Sequence, residues 1–314
     1  MAHPPLLALP GPPMVDQNPH RPLAGVFARL GAVVALAVMF ALVKLVTARG
    51  VGIVEAVFFR QLFALPVIGV WIALGPGKAA LRTARPGAHV VRMALGLTAM
   101  ALNFWGYSLL PLAEATVIGF TVPVFGTALA ALLLREPTGV HRWSAVAVGF
   151  AGVLIVVQPG TAWGGGFLHP LGTAVALAGA LMTAAVTIQI RQLGRTEGTA
   201  TTVLWFTMSS LAPLAVLMLW QGQAHEAGTW GLLLAIGLAG GLGQLGLTAA
   251  LRFAPVSVVL PMDYTMLLWA TILGAALFDS WPGTSTWIGA PVIVASGLYI
   301  VWRERVRSRA VATG

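Results

Sequence analysis

Ten apolar stretches, each long enough to cross a bilayer as a helix, constrain this chain more than any other feature of its sequence. A spanning helix needs about 20 apolar residues. Stretches of that kind run over 27–47, 53–74, 89–109, 112–134, 142–158, 168–190, 202–222, 229–250, 256–278 and 285–302, separated by Gly, Pro and charged residues. Transmembrane strands would be half as long and would alternate polar with apolar positions, which these do not. Of the 314 residues, 58% are hydrophobic and 9% charged, against about 25% charged in an ordinary soluble domain. A soluble globule could not cover its core with so few charges, so the expected fold is an all-α integral membrane protein with ten transmembrane helices.

The 18 Lys and Arg against 9 Asp and Glu would suggest a nucleic-acid partner in a soluble protein, but no soluble domain is available to hold a basic face. Their distribution gives a different reading. On one side of the ten spans fall Arg21, Arg29, Lys78, Arg82, Arg85, Arg92, Arg135, Arg142, Arg191, Arg195, Arg252, Arg303, Arg305, Arg307 and Arg309; the opposite side carries Arg49 alone, and Lys44 and Arg60 lie within spans. Arg and Lys accumulate in cytoplasmic loops, so both termini are expected in the cytoplasm. Residues 1–24 hold seven prolines and read as a disordered cytoplasmic tail, and 304–314 as a basic one. The absence of cysteine excludes disulfides and thiolate chemistry.

Sliding the chain by 144 residues lays Pro111, Thr121, Thr127, Gly139 and Trp143 on Pro255, Thr265, Thr271, Gly283 and Trp287. Two five-helix halves follow, at 25–160 and 161–303. Five is odd, so the halves enter the membrane from opposite sides. That is the inverted-repeat plan of secondary transporters, which bind substrate between the repeats near the midplane.

A charge inside a span should face a cavity or a partner. Asp263, in Pro261-Met262-Asp263-Tyr264-Thr265, is the acid nearest a span centre. Pro261 removes a backbone donor, so the ninth helix should kink there and leave the carbonyl near Ser257 without its usual partner; Pro123 can break the fourth. Asp263 either patches that kink or faces the cavity as an unpaired coupling carboxylate. Arg60 either ties helices together or meets an anionic substrate. Lys44 can snorkel to the outer interface, or pair with Glu55 or Glu114 as an outer gate. Asn103, Gln244, Tyr264, Trp105 and Trp269 can line the cavity, with helix-to-helix hydrogen bonding the alternative for Asn103 and Gln244. Other tryptophans, Trp163 among them, fall at span ends as interfacial belt residues.

The histidines sit in tails, loops or span ends without metal-ligand spacing, and no second carboxylate stands beside Asp263 in the sequence. No glycine-rich loop ending in Lys-Ser or Lys-Thr is present to hold ATP. A membrane-embedded enzyme or a structural membrane protein is the alternative to a carrier, and it lacks a polar catalytic pair. No catalytic residue, metal or cofactor is expected.

Taken together, the ten spans, the Lys44 and Arg60 pattern across the first hairpin, Arg135-Glu136-Pro137-Thr138 running toward Gly149 and Gly152, and the run Pro261 to Ala270 resemble the EamA branch of the drug/metabolite transporter superfamily over about residues 27–302. The resemblance implies a central cavity between the halves, with Asn103, Thr121, Gln244, Asp263 and Tyr264 as its first candidate residues. Where that family often closes the ninth span with an acid, this chain has Ser280 beside Asp279. The expectation is a monomer or homodimer in a bacterial inner membrane, and the resemblance implies an exporter of a small polar or amphipathic metabolite, coupled to protons and working by alternating access.

Overall fold

The computed structural model describes residues 22–75, 77–133, 140–157, 169–194, 196–253 and 259–312. The N-terminal tail before Pro22, Arg135 to Gly139, Trp163, Arg195, Pro255 and Ser257 lie outside the described residues, as do the side chains of Arg142, Arg252 and the basic run from Arg303.

The described chain is helical throughout. Helices α1 (Pro22–Ala48), α2 (Ile53–Leu74) and α3 (Pro86–Leu109) are followed by α4 (Leu112–Gly119), α5 (Val122–Leu133) and α6 (Val140–Val157). Then come α7 (Pro170–Leu193), α8 (Thr199–Gln221), α9 (Ala227–Phe253), α10 (Met266–Phe278) and α11 (Thr284–Ala312). Short 3-10 turns lie at Gly77–Leu81 and Leu260–Thr265, and no strand occurs among the described residues. Eight helical stretches there are long and apolar enough to cross a membrane. The predicted fifth span is shorter, at Trp143–Val157, and the third lies in α3, where His89, Arg92 and Asn103 dilute the apolar run.

The predicted break in the fourth span is present, and Pro261 lies in 3-10 backbone in the ninth, where Ser257 and its carbonyl fall outside the described residues. The fourth span divides at Phe120 and Thr121, between α4 and α5. Pro123 lacks an N–H and cannot continue the ladder, and the Thr121 hydroxyl donates to the Ile118 carbonyl at 2.6 Å. In the ninth span the chain tightens into the 3-10 turn at Leu260–Thr265 before α10 begins. Irregular backbone at membrane depth survives where it is enclosed by protein or borders a cavity, and these two breaks border one.

Close packing between helices rests on small residues. Along α9, a Cβ at Gly237 would lie 2.3 Å from Phe63 Cβ, and one at Gly246 would lie 2.8 Å from Ala32 Cβ. With glycine there, α9 approaches both α1 and α2, its most extensive partners along with the α3–α7 and α6–α11 pairs. The main buried cluster gathers around Val43, Phe59, Phe104 and Ile236, and Phe40 stacks on Tyr107 with ring centroids 4.0 Å apart. Large apolar side chains such as Leu74, Leu219 and Trp220 are exposed, as expected of a surface that faces lipid.

Candidate functional site

A large cavity, about 760 Å³, opens between the fourth and ninth spans. Gly119, Phe120, Pro123, Gly126 and Thr127 form one wall, and Asp263 and Tyr264 on the 3-10 turn form the opposite one. Arg29 from α1, Thr187 and Arg191 from α7, and Leu298 and Trp302 from α11 complete it. Mostly apolar walls with a few converging polar groups suit a small organic ligand.

Asp263 is not an unpaired acid. Arg29 donates from Nε to Oδ1 at 2.6 Å and from Nη2 to Oδ2 at 2.5 Å, a two-pronged geometry that fits a planar carboxylate. Arg29 is buried, while the Asp263 side chain stays 37% exposed toward the cavity. α1 starts at Pro22, five residues before the predicted first span of 27–47, so Arg29 lies two turns inside the helix instead of at its first turn. Asp263 accordingly sits toward the end of the bundle that carries Arg29 and Arg191, away from the centre of its span. Tyr264 meets Phe120 edge to face at 5.0 Å between ring centroids. Gly297 leaves room for its hydroxyl, since a Cβ there would lie 2.6 Å from Tyr264 Oη.

The remaining candidates do not converge here. Asn103 Nδ2 donates to the Ala99 carbonyl at 2.8 Å and to Thr183 Oγ1 at 3.0 Å, tying α3 to α7. Thr121 is buried behind the cavity wall, and Trp269 lines neither cavity described here. Arg60 and Gln244 line a second, smaller cavity of about 140 Å³, together with Arg92 and Glu197.

The ion pairs offered as an alternative to a snorkelling Lys44 do not form among the described residues, because each charge has a different partner. Lys44 Nζ donates to the Leu110 carbonyl at 2.7 Å and the Ser108 carbonyl at 3.4 Å, satisfying acceptors that the end of α3 leaves free. Glu55 pairs with His225 at 2.8 Å. Glu114 accepts from the Gly283 amide at 3.2 Å and from Thr286 Oγ1 at 3.1 Å.

Arg29, Arg191 and Arg92 were read from sequence only as members of the cytoplasmic basic set. For Arg29 a signal was available: an acid a few residues into its span calls for a cation at the same depth, and α1 enters from the same side. His225 and Glu197, in loops, gave no such signal.

Comparison with known proteins settles the class. The model of the EamA-like transporter family matches residues 23–158 and 170–302. The chain belongs to the EamA-like transporter family. A riboflavin transporter of Vibrio cholerae is 26% identical to this EamA-like transporter over 92% of this chain and 97% of its own length. A riboflavin transporter of Rhizobium johnstonii is 31% identical over 80% of each chain. An S-adenosylmethionine uptake transporter of Rickettsia prowazekii is 27% identical over 80% of this chain and 83% of its own. A crystal structure with 20% identity superposes with a TM-score of 0.58 over 88% of this chain and 94% of the other, which shows a shared fold. The protein is a multi-pass membrane transporter of a small metabolite, not an enzyme.

Proposed function

We propose that this EamA-like transporter carries a metabolite with a flat heterocyclic ring through the large cavity by alternating access. One observation carries the reading: a cavity of about 760 Å³ lies between two broken helices and presents the Phe120 and Tyr264 rings beside the Arg29–Asp263 pair. Aromatic faces suit a heterocycle, and the ion pair offers both a donor set and an acceptor set to polar substituents. Relatives named for riboflavin and S-adenosylmethionine support a ligand of this chemistry.

Ten spans in two inverted halves remain our reading of the architecture. It is supported by the family model matching the chain in two stretches. The packing is also reciprocal: α1 against α9 answers α7 against α3, and α6 packs on α11. We assign the end holding Arg29 and Arg191 to the cytoplasm of a bacterial inner membrane on the positive-inside rule, with both termini there and the cavity open inward. Relatives named for uptake favour import over the export that the resemblance implied. Asp263 is the coupling group in this scheme, its carboxylate exchanging Arg29 for a proton or for a cationic substituent of the substrate.

Proteoliposomes test the scheme. Labelled riboflavin and S-adenosylmethionine are offered with and without an imposed pH gradient, to the wild type and to Asp263→Asn. Saturable flux of at least one probe supports the carrier reading. Flux indifferent to both the gradient and the substitution removes Asp263 from coupling, and no flux of either probe rejects the ligand class.

A further inference from the structure

The smaller cavity lies between α2, α3, α8 and α9 and uses a different face of α7 from the large one. Two guanidinium groups border it. Arg60 is only 6% exposed; it donates to Gln61 Oε1 and, at 3.5 Å, to the Gly240 carbonyl, and its Nε is buried without a partner. Arg92 lies over the Phe206 ring at 4.1 Å, and its Nε and Nη1 are likewise buried and unpartnered. Glu197 is the acid that lines the same space, and its Oε1 is already engaged by Thr83 Oγ1 at 2.8 Å and the Ala84 amide at 2.9 Å. Among the described residues, two cations against one carboxylate leave one positive charge unbalanced in a water-poor setting, where an uncompensated charge is strongly disfavoured.

The surroundings accommodate this arrangement. A Cβ at Gly240 would lie 2.8 Å from Arg60 Nε, and one at Gly96 would lie 2.1 Å from Arg92 Nη1. Glycine at both positions leaves the guanidinium groups the room they occupy. Gln244 and Thr207 add polar lining. A volume of about 140 Å³ is a few times the roughly 30 Å³ that one water occupies in the liquid. It admits a carboxylate or phosphate group and excludes a riboflavin-sized ligand.

We infer that this cavity is a binding site for a small oxyanion, a carboxylate or phosphate group held between Arg60 and Arg92. Guanidinium donors match the oxygens of both groups, and a single negative charge restores neutrality. The inference does not rest on what the large cavity carries.

Thermal unfolding of the purified, lipid-depleted protein tests it. Acetate and inorganic phosphate are compared with chloride at equal ionic strength. Saturable stabilisation by an oxyanion is expected, with a midpoint rise of roughly 3 °C at ten times the dissociation constant. Arg92→Gln and Arg60→Gln should each abolish the response, and Gly126→Phe in the large cavity should preserve it. Gln244→Glu supplies a carboxylate from within; it should raise the midpoint without added anion and remove the response, and it carries the test together with Arg92→Gln if Arg60→Gln does not fold. A parallel arm adds short-chain phosphatidylglycerol: competition with phosphate assigns the site to a lipid headgroup, and phosphate binding without competition assigns it to a free anion. No oxyanion stabilisation beyond chloride, or an equal response in Arg92→Gln, overturns the inference.

Discussion

Arg29 grips both carboxylate oxygens of Asp263 across 234 residues of sequence, at 2.6 and 2.5 Å. The pair joins α1 to the 3-10 turn that opens the ninth span, and it does so at the rim of the large cavity. Removing one partner leaves the other charge uncompensated. Because Asp263 remains partly exposed, Arg29→Gln or Asp263→Asn should cost about 1–3 kcal/mol, below the range for fully buried pairs. The double substitution should recover part of that loss in a double-mutant cycle of detergent unfolding. Additive losses would mean that the two groups act separately.

Lys44 serves the end of α3 through the Leu110 and Ser108 carbonyls. Lys44→Met removes those bonds and should lower stability by about 1–2 kcal/mol, while Lys44→Arg retains a donor and should lower it less. Unfolding midpoints compare the two. If Glu55→Gln or Glu114→Gln abolished the Lys44→Met effect, an ion-pair gate would be restored as the better account.

Glu55 is buried, 1% exposed, and its Oε1 meets His225 on the loop before α9. His225→Ala strips a buried carboxylate of that partner and should destabilise by about 1–3 kcal/mol, with His225→Gln recovering part of it. Equal unfolding midpoints for wild type and His225→Ala would show that the contact contributes nothing.

The glycines of α9 are not equivalent. A Cβ at Gly237 would press on the Phe63 backbone at 2.9 Å as well as on its Cβ, whereas one at Gly231 meets nothing within 4 Å. Gly237→Ala should therefore cost about 1–3 kcal/mol through overpacking, and Gly231→Ala should leave stability unchanged or raised. Chemical denaturation of the two variants side by side checks the ordering.

Spans and breaks were legible in the sequence because both are local. Hydropathy sets the length of a helix, and a proline such as Pro123 removes a donor wherever the chain goes. Asp263 and Tyr264 were legible as candidates for the same reason, being polar groups at a break. Their company was not. Arg29 looked like one more cytoplasmic cation, since its role depends on how far α1 extends toward the N-terminus and on which helix it meets. Asn103 and Gln244 looked equivalent as isolated amides, yet packing turns Asn103 toward Thr183 on α7 and leaves Gln244 beside Arg60 and Arg92. Lys44, Glu55 and Glu114 illustrate the same limit: matching depth brings opposite charges to one level, and loop residues such as His225 and Gly283 then decide the partners.

Occlusion of the large cavity tests the account most directly. Gly126 lines it, and a Cβ there meets nothing within 4 Å, so Gly126→Phe should fold as the wild type does while filling the space the substrate needs. Counterflow of labelled riboflavin and S-adenosylmethionine is measured in proteoliposomes holding equal amounts of each protein, with unfolding midpoints recorded in parallel. The account predicts saturable counterflow of at least one probe in the wild type and at least a tenfold loss in Gly126→Phe at an unchanged midpoint, a loss of about 1.4 kcal/mol or more. Wild-type rates in a folded Gly126→Phe variant would contradict it, because the substrate would then be crossing by a route that avoids this cavity.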